Sequence, residues 1–129
     1  MMPDLKSVIL VVEDQPLIRM GAVALVNEAG FVALEASNAD EAIGILEARS
    51  DVGLVFTDVD MPGTMDGIKL THYIRERWPP IKLLVASGKA ILQESQIPAG
   101  ARFFSKPYAD QTIVEAIIIL LSEEALKKP

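Results

Sequence analysis

Residues 8–16 read VILVVEDQP. Val8 to Val12 is an unbroken run of aliphatic side chains, the pattern of a strand covered on both faces in a parallel sheet. Glu13 and Asp14 end the run. Pro16 suits the first turn of a helix, where its missing N–H removes no hydrogen bond. Beyond it Ile18, Gly21, Ala22, Leu25 and Ala29 recur at helical spacing opposite Arg19 and Asn27, and Gly30 closes the helix.

The same alternation continues to the end of the chain. Phe31 to Ala36 reads as a second strand, and Asn38 with Glu41 forms an N-cap pair for a helix burying Ala39, Ala42, Ile43 and Leu46. Val52 to Thr57 is a third strand running into Asp58. After a Pro-Gly loop, Gly67, Leu70, Thr71 and Ile74 mark a helix that ends near Trp78-Pro79-Pro80. Ile81 to Ala86 is a fourth strand. Lys89 to Gln96 is a short helix candidate hemmed in by Gly88 and Pro98. Ala101 to Phe104 is a fifth strand, Lys106-Pro107 a turn, and Asp110 to Ala125 a last helix with a core face of Ile113, Ala116, Ile117 and Leu120.

Five such βα units leave no room for a repeat or a linker. They predict one domain over residues 1–129 with its core in 8–121, an α/β fold whose right-handed crossovers cover a doubly wound, five-stranded parallel sheet with helices on both faces.

Composition narrows the function. Half of the 129 residues are hydrophobic, enough to build a core. Twelve basic against eighteen acidic residues give a net charge of -6, which disfavours nucleic acid and anionic membrane surfaces as partners. No cysteine and a single histidine, His72, exclude disulfides and thiolate or zinc-type clusters, so a bound metal would be held by oxygen, as magnesium, calcium or manganese are. No apolar run is long enough for a membrane span or signal peptide, and a cytoplasmic location is expected.

Doubly wound sheets place their chemistry beyond the carboxyl ends of the strands. The polar residues fall there: Glu13 and Asp14 after the first strand, Asp58 at the third, Ser87 after the fourth and Lys106 after the fifth. Three carboxylates meeting without a counter-charge would repel one another, so the group calls for a divalent cation, magnesium first. Beside that ion one carboxylate, Asp58, can attack phosphorus, with Lys106 neutralising phosphoryl oxygens and the Ser87 hydroxyl donating a hydrogen bond.

With these residues in place, the stretches VVEDQP, FTDVDMPGTMDGIKL, LLVASG and FFSKPY resemble, in content and order, the receiver domain of bacterial response regulators (CheY-like, single-domain type), over Val8 to Leu121. The resemblance implies a flavodoxin-like sheet of strand order 2-1-3-4-5. It implies a phosphoacceptor switch in a two-component phosphorelay, not an enzyme acting on other substrates. Asp58 would take a phosphoryl group from a histidine kinase or histidine phosphotransfer protein, and output would pass to a downstream protein partner. Asp14, Asp58 and the Asp60 main-chain carbonyl would ligate Mg2+, or Mn2+ in its place, with Glu13 acting through a bound water. Ser87 would swing toward the phosphoryl group and Phe103 would turn inward as the switch aromatic. Lys106 would contact the phosphoryl group, positioned by a cis bond to Pro107. Two departures stand out: the loop Met61 to Gly67 is one residue longer than the common form, and the stretch between Ser87 and Lys106 is short.

Other readings stay open. Asp58-Val59-Asp60 after an apolar strand also resembles the nucleophile motif of haloacid-dehalogenase-like phosphatases, but nothing acidic lies between Lys106 and Asp110 where such enzymes place a second acidic cluster. A pseudo-receiver that binds partners without accepting phosphate is the third reading. Phe103 is core by default, His72 a surface side chain, and Trp78 a cap packed on its loop. The last helix carries a second apolar stripe, Val114, Ile118 and Leu121, which predicts a homodimer or partner interface because solvating such side chains forgoes roughly 1.5–3 kcal/mol each.

Overall fold

The computed structural model describes residues 7–63, 65–88 and 94–127. Its elements are β1 (Val8–Val12), α1 (Pro16–Glu28), β2 (Val32–Ala36), α2 (Ala39–Ala48), β3 (Val52–Asp58), α3 (Gly67–Arg77), β4 (Lys82–Ser87), a short 3-10 turn (Glu94–Gln96), β5 (Arg102–Ser105) and α4 (Asp110–Lys127). All strand pairings are parallel, and the sheet runs β2-β1-β3-β4-β5. That is the expected doubly wound order, with the chain reversing direction across the sheet between β1 and β3.

The run at 8–12 is apolar throughout because each of its faces supplies a different core. Val8, Leu10 and Val12 point into one cluster with Leu46 of α2 and Leu70 and Ile74 of α3. Ile9 and Val11 point the other way, against Leu25 and Val26 of α1 and Ile113, Ile117 and Leu120 of α4. Side chains on both faces leave every β1 residue buried.

Helix starts follow local chemistry. Asn38 Oδ1 accepts from Glu41 N at 2.8 Å, while the Glu41 carboxylate reaches back to Ser37, at 2.7 Å from its N and 2.8 Å from its Oγ. The reciprocal pair therefore includes Ser37 as well as the expected Asn38. Asp66 Oδ1 caps α3 by accepting from Lys69 N at 2.9 Å. Trp78 is the C-cap of α3 and is half-buried against the first core, with the Arg77 guanidinium over its ring at 5.2 Å.

Three expectations need correction. Ile18 does not join the core: it is exposed near the start of α1, whose buried face is Ala22, Leu25 and Val26. The stripe Val114, Ile118 and Leu121 is not free. All three are half-buried against the second core, because α4 lies along β3, β4 and α1 and so buries a wider arc than one stripe. Leu121 reaches over Gly53, 3.5 Å from where a side chain would begin. Among the described side chains of α4, Ile119 is the exposed large aliphatic, so the stripe expected to form a homodimer or partner interface is only partly open to solvent. Of the helix expected at 89–96, residues 94–96 form the 3-10 turn and 89–93 lie outside the described residues. That turn and the loop after it are tied to α3, since His72 Nε2 meets the Gln96 carbonyl at 2.9 Å and Arg75 Nη1 donates to the Ala99 carbonyl. Among the described residues no helix is long and apolar enough to cross a membrane.

Candidate functional site

Register brings the site residues to one level. Val12 pairs with Thr57, Asp58 with Ala86, and Ser87 with Ser105, so Glu13, Asp58, Ser87 and Lys106 leave neighbouring strands at the same end of the sheet. The parallel ladder continues past the strand ends and holds the main chain there. Glu13 N donates to Ala36 O at 3.0 Å, Val59 N to Ala86 O at 2.9 Å and Lys106 N to Ser87 O at 2.9 Å. A backbone paired in this way fixes the point from which each of these side chains projects.

Two further devices shape the loops. Arg19 of α1 donates from Nη1 to the Glu13 carbonyl at 2.9 Å and pairs with Glu35 of β2 at 3.0 Å, pinning the acidic doublet to both neighbours. Gly67 opens α3 directly over the end of β3. A Cβ there would overlap Asp58 O and lie 2.8 Å from Asp58 C and Val59 Cα, so glycine permits the close approach.

Carboxylate oxygens of Glu13, Asp14 and Asp58 all lie within 4.8 Å of one another. Lys106 Nζ sits between two of these side chains, 3.0 Å from Glu13 Oε1 and 2.9 Å from Asp58 Oδ1. Glu13 Oε2 also accepts from Gln15 N at 3.2 Å. Glu13 and Asp58 are buried, and Lys106 is partly so.

These surroundings set the protonation balance. Burial pushes the Glu13 carboxyl above its usual range, against the Lys106 and Gln15 hydrogen bonds, and the Asp58 charge pushes the same way. Burial likewise raises Asp58; Lys106 opposes, and the charges of Asp60 and Asp14 add to the rise. For Lys106 burial acts downward, but the contacts with Asp58 and Glu13 outweigh it and its pKa rises. One ammonium among three converging carboxylates leaves the crevice short of positive charge.

The donor set fits a hard divalent cation. Asp14 Oδ1 is buried with no hydrogen-bond donor. Asp58 Oδ1, also buried, has the Lys106 ammonium 2.9 Å away as its ionic neighbour and no other partner among the described residues. Buried carboxylate oxygens without N–H or O–H partners are the ligands that magnesium or manganese take.

The remaining residues singled out in the sequence fall as follows. Ser87 is buried at the end of β4, and its hydroxyl donates to Asp60 Oδ2 at 2.6 Å. The Lys106-Pro107 bond is cis. Phe104 packs on the second core, while Phe103, half-buried, alternates to the opposite face of β5. Sequence reasoning did not find three features: the Asp60 carboxylate, expected to contribute only its carbonyl; the direct pairing of Glu13 with Lys106; and the packing of Tyr108 on Phe56 at 5.9 Å, which lines the crevice beside Asp58 and Lys106. The acid at 60, two residues past a strand-end acid, was the available signal for the first.

Fold and site together define a flavodoxin-like α/β protein with an acidic, lysine-bridged crevice at the switch point of its sheet. A protein-family model described as "Response regulator receiver domain" matches residues 9–118, and the chain belongs to that family, whose members serve the response regulators and sensor kinases of two-component systems. It is 32% identical over 122 residues to the sensor kinase CckA of Brucella abortus, covering 92% of this chain and 13% of that protein. It is 33% identical over 122 residues to the transcriptional activator protein ExaE of Pseudomonas putida, covering 91% of this chain and 56% of that protein. Among solved structures it resembles the receiver domain of a hybrid histidine kinase CckA, with a TM-score of 0.75 and 30% identity over 88% of this chain and 98% of that one.

Proposed function

We propose that the protein is a phosphoacceptor switch and that Asp58 is the residue phosphorylated, by a histidine kinase or a histidine phosphotransfer protein. What supports the reading is the convergence of Glu13, Asp14 and Asp58 oxygens within 4.8 Å, with Lys106 Nζ 2.9 Å from Asp58. A carboxylate placed so can act as a nucleophile, and an ammonium beside it can neutralise the oxygens of the group transferred.

In the transfer, an Asp58 carboxylate oxygen forms a bond to phosphorus as the phosphorus–nitrogen bond of the donor phosphohistidine breaks. The imidazole keeps that electron pair and takes up a proton. Asp14, Asp58 and the Asp60 carbonyl would hold magnesium, or manganese in its place, with Glu13 assisting through a water, and the ion would supply further neutralisation of phosphoryl charge. Lys106 contributes its ammonium, and Ser87 a hydroxyl proton once it turns to the new group. Hydrolysis reverses the state: a water oxygen bonds to phosphorus, the acyl phosphate P–O bond breaks, and Asp58 returns as carboxylate with inorganic phosphate released. The altered positions of Ser87 and Phe103 would then bias the surface offered to a downstream protein.

Incubation with a small-molecule phosphodonor and Mg2+, followed by intact-mass measurement and peptide mapping, tests the reading. One phosphoryl group on Asp58, absent in Asp58→Asn, is the expected result. A parent protein that takes no phosphoryl group would overturn it and leave a binding module of the same fold. Rapid multiple turnover on unrelated phosphoesters would instead favour a phosphatase of the haloacid-dehalogenase type.

A further inference from the structure

The hydrogen bond from Ser87 Oγ to Asp60 Oδ2 has a length, 2.6 Å, typical of a hydroxyl donating to an ionised carboxylate, among the stronger hydrogen bonds in proteins. It is made at a buried serine, 1% exposed, where water competes poorly. Its two ends are held by main chain. Val59 N donates to Ala86 O at 2.9 Å and Met61 N to Val59 O at 3.1 Å, so the loop carrying Asp60 is fastened to β4 one residue before Ser87. On the other side, Lys106 N donates to Ser87 O at 2.9 Å. The contact is therefore set by backbone geometry on both sides.

A hydroxyl has one proton to donate. We propose that the Asp60 carboxylate is a positioning group that competes for the Ser87 hydroxyl proton against the phosphoryl group on Asp58, and so sets how far the protein resists its switched state. The inference rests on Asp58 being the phosphoacceptor. Asp60 lies two residues beyond Asp58 and Ser87 follows Ala86, the register partner of Asp58, so both acceptors are within reach of one side chain. With Asp60 present, the phosphoryl group must displace a charged acceptor; without it, that charged competitor is gone.

Beryllofluoride with Mg2+ mimics the phosphoryl group on Asp58, and its binding is measured by 19F NMR titration on the full chain. Removing a charged acceptor in Asp60→Ala is expected to tighten beryllofluoride binding about tenfold, equivalent to about 1.4 kcal/mol. Loss of the Asp60 charge would also alter binding by electrostatics alone, and a double-mutant cycle separates the two effects. In a Ser87→Ala background the same Asp60→Ala change should alter affinity by less than about twofold, the limit of additivity for independent sites. An equal change in both backgrounds, or none in the first, overturns the proposal. If Asp60→Ala does not fold, Asp60→Asn, which keeps shape and a weaker neutral acceptor, gives the same cycle with a smaller gain. A parent that binds no beryllofluoride defeats the phosphoacceptor reading and this one with it; a parent that binds while the Asp60 variants bind equally well defeats this one alone.

Discussion

Replacing Asp58 with asparagine should stabilise the metal-free protein. At an effective dielectric of about 20, two carboxylates at the 4.8 Å outer limit of their separation repel by about 3.5 kcal/mol, and an ammonium 2.9 Å from a carboxylate attracts it by about 5.7 kcal/mol. Asp58 faces two such repulsions, from Glu13 and Asp14, and one such attraction, from Lys106, which leaves about 1 kcal/mol against its charge before burial adds more. Asparagine keeps the shape and removes the charge. Unfolding entropies scale at about 2.1 cal/mol/K per residue, or about 0.27 kcal/mol/K for 129 residues, so 1 kcal/mol corresponds to a rise of about 4 °C in Tm. Calorimetry of both proteins at neutral pH in EDTA reads this directly. Magnesium should reverse the order: at a hundred times Kd it stabilises the parent by about 2.7 kcal/mol, near 10 °C, and the variant far less. The pH dependence has a definite sign. Burial raises the folded-state pKa of Asp58, so the native form favours its protonated state, and the deficit of the metal-free parent should shrink as pH falls through the carboxylate range. An Asp58→Asn protein that melts at or below the parent in EDTA would refute the charge argument, and a parent indifferent to magnesium would refute the cation site.

Two other outcomes are expected. Lys106→Met leaves Glu13 and Asp58 buried without their shared cation and should lower metal-free stability by about 2 kcal/mol, a buried-pair loss discounted for the lysine's partial exposure. The lysine's pKa is raised above its ordinary 10.5, so its contribution is full below that pH and is lost as pH rises through the folded value; denaturant titrations should show parent and variant converging at the alkaline end. Gly67→Ala forces a methyl group into Asp58 O and the Val59 backbone and should destabilise by about 3 kcal/mol or more, seen as a Tm lower by roughly 10 °C.

Much of this could be read from residue order. The unbroken aliphatics of Val8 to Val12 imply a strand with two covered faces, and the α3 and α4 core faces expected from spacing, Gly67, Leu70, Thr71 and Ile74 in one and Ile113, Ala116, Ile117 and Leu120 in the other, are the buried ones. Asp14, Asp58 and Lys106 could be placed together because parallel strands in one sheet all end on the same side. Periodicity fails where its assumptions stop. A helix packed against one neighbour needs one stripe, but α4 lies against β3, β4 and α1 together, so Val114, Ile118 and Leu121 are half-buried too. Ile18 has helical spacing but lies at the rim of the crevice beside Glu13, Lys106 and Tyr108 rather than in the core, and it is exposed.

Strand alternation, helix spacing and the order of polar residues at strand ends were thus determined by the chain's own sequence, because local sterics and hydrophobic pattern act over a few residues. Which partner each polar atom takes was decided only by the assembled sheet. Glu13 meets Lys106 across 93 positions and Ser87 meets Asp60 across 27, contacts that exist only once register and loop closure bring them within 3 Å.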